Sequence, residues 1–157
     1  MSDSYEVAII GGGTGGAALA YALARAGARV LVLERTRAFR DRVRGDVMYP
    51  WGVAAASRLG LLEAMLAAAA RRLPFWRTRF ASFPPPPPRT LVDEVGESAL
   101  AFFHPELQET LLSAAVTTGA EVLRGARAVG LERTPAGLRV EYGLAGVTRY
   151  AAAPLVV

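Results

Sequence analysis

The sequence predicts an α/β fold in which a strand–helix–strand unit with a parallel sheet is joined to a three-stranded antiparallel β-meander. Two patterns predict it. Near the start, the apolar run Val7-Ala8-Ile9-Ile10 meets the cluster Gly11-Gly12-Gly13-Thr14-Gly15-Gly16, then an alanine-rich stretch and a second apolar run, residues 29–34, ending in Glu34. Near the end, strand-like pieces over residues 126–133, 138–142 and 147–152 are separated by Thr134-Pro135-Ala136-Gly137 and Gly143-Leu144-Ala145-Gly146, which read as tight turns. With 157 residues, 52% apolar and 20% charged, the chain can bury a hydrophobic core as one domain.

The glycine cluster carries the chemistry. Gly11, Gly13 and Gly16 satisfy G-x-G-x-x-G between a strand and a helix. The first glycine permits the tight turn, the second lets a pyrophosphate approach the backbone, and the third lets helix and strand pack closely. The helix that follows offers free N–H groups and a positive dipole end to a diphosphate. Glu34 falls at the spacing from which an acid accepts hydrogen bonds from an adenosine ribose. Strand, turn, helix and acid agree, so the unit reads as a Rossmann-like dinucleotide-binding βαβ. A glycine turn in a ligand-free βαβ unit is the alternative.

Residues 17–28 favour helix, with Gly27 as the stop. The run 29–34 is almost continuously apolar, as a parallel strand covered on both faces should be. Residues 35–46 hold five arginines and no apolar periodicity and read as a loop. Most of these arginines fit a solvated surface; one or two could reach the phosphates or adenine of a nucleotide lying at the strand end. Residues 50–60 form a short helix closed by glycine, 61–72 a second helix, and 73–83 a strand or extended piece. The aromatics there (Phe75, Trp76, Phe80 and Phe83) read first as core, with a pocket lining as the alternative. Five prolines, 84–88, make an exposed polyproline connection. Short strands are expected at 91–95 and 99–103. A helix then starts at His104-Pro105-Glu106, buries Leu107, Leu111, Leu112 and Ala115, and closes at Gly119. A short strand, Glu121-Val122-Leu123, precedes the meander, and an apolar strand at 154–157 comes after it. A simple nicotinamide dehydrogenase would instead continue to alternate strands and helices after Glu34.

Composition narrows the class. The chain has no cysteine and one histidine, which argues against disulfides, thiolate sites and a histidine metal cluster. The net charge is +4, and all basic residues are arginine, but no basic patch interleaved with aromatics supports nucleic-acid binding. Residues 1–6 lack the features of a signal peptide. The longest apolar stretch, 53–70, is broken by Arg58 and Glu63, so no membrane span is expected, and the default is a cytoplasmic protein.

The glycine turn, Glu34, Arg44-Gly45-Asp46, Pro50-Trp51-Gly52 through Leu59-Gly60-Leu61, and the Leu107/Leu111 helix together resemble the N-terminal part of the FAD-dependent monooxygenases of the para-hydroxybenzoate hydroxylase type. The resemblance runs through nearly all of the chain in order. It implies that Gly11, Gly13, Thr14, Gly15 and Gly16 hold the FAD pyrophosphate and Glu34 the adenosine ribose. Arg35 would lie beside the adenine, Arg44 near the flavin end, and the backbone of Ala128 against the adenine. His104 stands where the family usually has arginine; it would either contact the cofactor or simply start a helix. The family strand matching residues 154–157 runs into a Gly-Ala-Asp-Gly motif, and this sequence stops just before it. Residues 1–157 are therefore expected to be a FAD-binding domain fragment, with 73–103 an excursion toward a missing substrate domain.

By the same resemblance, the parent enzyme would use NAD(P)H as a transient reductant of FAD and O₂ as the oxygen source, and would hydroxylate an organic substrate, an aromatic one among the candidates. No catalytic residue is assigned. Three alternatives stay open: a flavin-dependent halogenase or prenyl reductase of the same fold, a non-catalytic dinucleotide-binding remnant, and an NAD-binding enzyme, since Glu34 serves either ribose. NADP bound in this turn is disfavoured because Glu34 would repel a 2′-phosphate.

Overall fold

The computed structural model describes residues 5–41, 46–77, 79, 81, 84–92 and 96–157. In chain order the elements are β1 (Val7–Ile10), α1 (Thr14–Arg25), β2 (Val30–Glu34), β3 (Val47–Met48), α2 (Pro50–Leu59), α3 (Leu62–Ala67), β4 (Arg71–Leu73), β5 (Phe75–Trp76), β6 (Arg89–Thr90) and β7 (Ala99–Ala101). They continue with α4 (His104–Thr117), β8 (Glu121–Arg124), β9 (Arg127–Thr134), β10 (Gly137–Leu144), β11 (Val147–Ala153) and β12 (Leu155–Val156). The chain divides into two compact units, residues 1–40 with 108–157 and residues 41–107, the second boundary falling inside α4.

The first unit is built on a parallel sheet of order β12-β1-β2-β8. Every residue of β2 is buried, as its unbroken apolar sequence requires of a central strand. α1 covers one face of this sheet. Its buried positions, Ala17, Ala20 and Ala24, are all small, so the helix axis can lie close to the strands. The antiparallel meander β11-β10-β9 covers the other face. Val140, Tyr142, Ala151 and Ala153 from its inner side pack with Ala8, Leu31 and Leu33 into one buried cluster. The alternation is clear in β1 and β2: Ala8, Leu31 and Leu33 face the meander, whereas Ile9 faces α1 at Gly16. Ala145 and Gly146, both at positive φ, make the turn between β10 and β11. β12 returns to pair parallel with β1, Val7 against Leu155 and Ala8 against Val156. The βαβ unit, parallel sheet and meander thus all form as the sequence predicts.

In the second unit, β3, β7 and β4 form a small antiparallel sheet, and β5 pairs with β6. α2 starts with Pro50 at its first position and ends on Gly60 at φ 81°, as expected. The second helix is shorter than the sequence reading of 61–72. It stops at Ala67, Ala69 adopts φ 65°, and Arg71–Leu73 turn into a strand paired with β7. Of the expected strand or extended piece over 73–83, Leu73 ends β4 and Phe75–Trp76 form β5 among the described residues. Its aromatics are not core: Phe75 and Trp76 are about half exposed, at 55% and 50%. Phe80 and Phe83 lie outside the described residues. Of the expected 91–95 strand, only a single bridge from Val92 to Ser98 is described. Prolines 84–88 are exposed, as read, and belong to no helix or sheet.

Candidate nucleotide site

The turn after β1 is shaped by two glycines at which a side chain would be strained or would overlap the backbone. Gly11 sits at φ 112°, where a side chain would be strained, and its N–H donates to Leu33 O at 2.9 Å. A Cβ on Gly16 would overlap the Gly11 carbonyl oxygen and press on Ile9 Cγ2. Gly13 is the N-cap of α1 and supplies no side-chain cap; the first helical bond runs from Ala17 N–H to Gly13 O at 2.8 Å. Thr14, Gly15 and Gly16 therefore form an uncapped first turn with no acidic residue in it, the electrostatic environment that an anion favours.

Glu34, at the end of β2, is buried at 6% exposure. Its Oε2 accepts the Gly12 N–H at 2.7 Å and its Oε1 accepts the Thr36 N–H at 2.6 Å. Those two bonds satisfy a buried carboxylate and tie the strand end to the glycine turn. Beside it opens a cavity of about 400 Å³. Gly11, Glu34, Arg35 and Ala128 line it, together with Ala126 and Arg127; Ile10 and Leu33 add apolar surface. The loop beyond Arg35 is held by a guanidinium clamp. Arg124 pairs with both carboxylate oxygens of Glu109, bonds Arg37 O at 3.3 Å, and lies 5.1 Å from the centre of the Phe39 ring.

The structure therefore gathers Gly11, Glu34, Arg35 and Ala128 around one cavity and sets Gly13, Thr14, Gly15 and Gly16 at the helix start next to Gly11 in the chain. Arg44 lies outside the described residues. His104 is the first residue of α4 and belongs to the second unit. Its Nδ1 is buried with no hydrogen-bond partner among the described residues, and its ring lies 6.3 Å from that of Phe102. The sequence reading passed over Arg127, Ala126 and the amide-accepting geometry of Glu34. Arg127 precedes the singled-out Ala128 by one residue, but a charged residue opening a strand gives no signal of a cavity.

With that geometry established, comparison with known proteins is informative. The family described as FAD binding domain matches residues 4–156. The chain belongs to this family. Squalene epoxidase 5 of Arabidopsis thaliana is 47% identical over 60 residues, covering 38% of this chain and 12% of its own length. Among solved structures, p-nitrophenol 4-monooxygenase from Pseudomonas putida has the same fold, with a TM-score of 0.87 at 20% identity over 99% of this chain and 40% of its own. An anhydrotetracycline hydroxylase from Streptomyces rimosus gives 0.77 at 28% identity over 98% of this chain and 31% of its own. The chain spans less than half the length of each of these relatives. No helix among the described residues is long and apolar enough to cross a membrane.

The residues present fit the cofactor of the FAD-binding domain family. The glycine turn leaves backbone where side chains would stand, the first turn of α1 is uncapped, and an acid and a cavity adjoin it.

Proposed function

We propose that this chain holds the adenosine diphosphate half of FAD in a flavin-dependent monooxygenase that takes electrons from NAD(P)H and hydroxylates a small organic molecule with O₂. The observation that carries the reading is the junction of three parts within one unit: the Gly11–Gly16 turn, the buried Glu34 bonded to Gly12 N–H, and the cavity closed by the start of β9. Gly13, Thr14, Gly15 and Gly16 would hold the diphosphate through backbone N–H groups. Glu34 would accept from the ribose hydroxyls, and Arg35 and the Ala128 backbone would border the adenine. Arg44 and His104 remain candidates for contacts further along the cofactor.

When bound, the flavin supplies the redox chemistry, and the protein binds, orients and shields it. Residues 73–103, within the second unit, would lead toward the part of the protein that takes the substrate. A cytoplasmic setting belongs to the same reading.

The test is direct. The purified chain is mixed with FAD and passed over a desalting column. The reading expects flavin absorbance to travel with the protein and to be lost with Gly13→Ala or Glu34→Ala. A colourless protein fraction, with no quenching of FAD fluorescence on titration, overturns it.

A further inference from the structure

We propose that Arg127 is the second of two guanidinium jaws that hold the purine of the bound nucleotide, acting with Arg35, and that it thereby selects adenine over a pyrimidine. This rests on the nucleotide-binding reading above and adds a residue and a specificity to it.

The cavity has three charged groups, Glu34, Arg35 and Arg127, among small or apolar walls. Glu34 accepts one backbone N–H on each carboxylate oxygen and keeps its remaining lone pairs for the ribose hydroxyls. The two arginines are uncommitted. Neither has a hydrogen-bond, ion-pair or ring partner among the described residues. Two other guanidiniums of this unit do find partners. Arg124 has Glu109 and the Phe39 ring, and Arg139 has Glu132 and the Tyr150 ring.

The backbone sets Arg35 and Arg127 at one mouth. Ala126 N–H donates to Glu34 O at 3.0 Å, so each arginine is the next residue after a main-chain bond that joins the two segments. Their ligand is not the diphosphate, which the uncapped start of α1 receives. It is not a ribose phosphate either, because that group would sit against the Glu34 carboxylate. What remains between the sugar and solvent is the base. A guanidinium is planar and weakly hydrated, so it stacks on an aromatic face, and a purine offers a larger face than a pyrimidine.

Binding of ADP and of UDP is measured by calorimetry for the unsubstituted chain, Arg127→Lys and Arg127→Gln, with circular dichroism confirming the fold of each. The jaw predicts that the unsubstituted chain prefers ADP, and that both variants shrink the ADP-to-UDP preference by about three- to tenfold, because lysine keeps the charge but loses the plane. An unchanged preference in both variants overturns the proposal. So does an equal weakening of both nucleotides by Arg127→Gln that Arg127→Lys restores, since that marks a role of charge alone. Failure of the unsubstituted chain to bind ADP, UDP or FAD sinks the flavin reading and the jaw together, whereas binding with an unaltered preference sinks the jaw alone.

Discussion

A Cβ on Gly16 would overlap the Gly11 carbonyl oxygen, whereas one on Gly13 would meet nothing closer than Gln108 Nε2 at 3.8 Å. Two glycines of one motif therefore have different duties. Gly16→Ala is expected to cost about 3 kcal/mol or more, from backbone overlap that a packed helix–strand contact cannot relieve, read as a lower urea midpoint. Gly13→Ala keeps an allowed φ of −69° and should stay within about 1 kcal/mol of the parent, the cost of a poorer N-cap residue. Its FAD affinity should nevertheless fall at least about tenfold, because a methyl group then stands where the diphosphate is proposed to meet the backbone. Equal stability losses in the two variants would contradict this division. At Glu34, replacement by Gln sets an NH₂ against either the Gly12 or the Thr36 N–H, both of which now donate to the carboxylate. The expected cost is about 2 kcal/mol, seen in chemical unfolding without ligand. The glycines and Glu34 were legible in the sequence because each answers a local demand of backbone angle, steric space or spacing. The exposed start of β9 made no such demand, so Arg127 passed unnoticed.

Among the elements, α1, α2, α4 and the meander could be read because propensity, caps and turns agreed with their packing. The end of α3 and the turn into β4 could not. The alanine-rich sequence around residue 68 favours continued helix, but pairing of Arg71–Leu73 with Ala99–Ala101 requires the chain to reverse, and Ala69 takes φ 65° to do it. Long-range pairing overrides local propensity there. The aromatics of β5 misled for a related reason. Hydrophobicity alone places Phe75 and Trp76 inside, whereas a two-stranded ribbon has no second layer among the described residues to bury them. These geometries make a pair of predictions with opposite signs. Ala69→Gly relieves a left-handed alanine and should raise stability by about 0.5 kcal/mol, after the added freedom of the unfolded chain is subtracted. Gly60→Ala forces alanine into the same region at the end of α2 and should lower it by about 1 kcal/mol. Thermal melts of both variants against the parent give the signs, and a loss in Ala69→Gly would show that the methyl group packs usefully.

For the molecule as a whole, every group assigned to the nucleotide except Arg44 and His104 lies in the unit formed by residues 1–40 and 108–157. Ligand linkage should show that assignment. FAD at a hundred times its Kd stabilises the chain by about 2.7 kcal/mol, a rise of roughly 5–10 °C in Tm, and ADP should reproduce most of it. FMN, which lacks the adenosine half, should shift the melt little; an FMN effect equal to that of FAD would relocate the site. The order of strands also carries a cost in time. β1 is made well before its partner β12, which lies 148 residues further on, Val7 pairing with Leu155. At ribosomal elongation rates, one flank of that apolar strand waits roughly 7–30 s for its neighbour to be synthesised. Through that interval its bare amides and carbonyls can recruit strands from other nascent chains, so yield during expression should depend on translation speed and chaperone supply more steeply than the finished protein's stability would suggest.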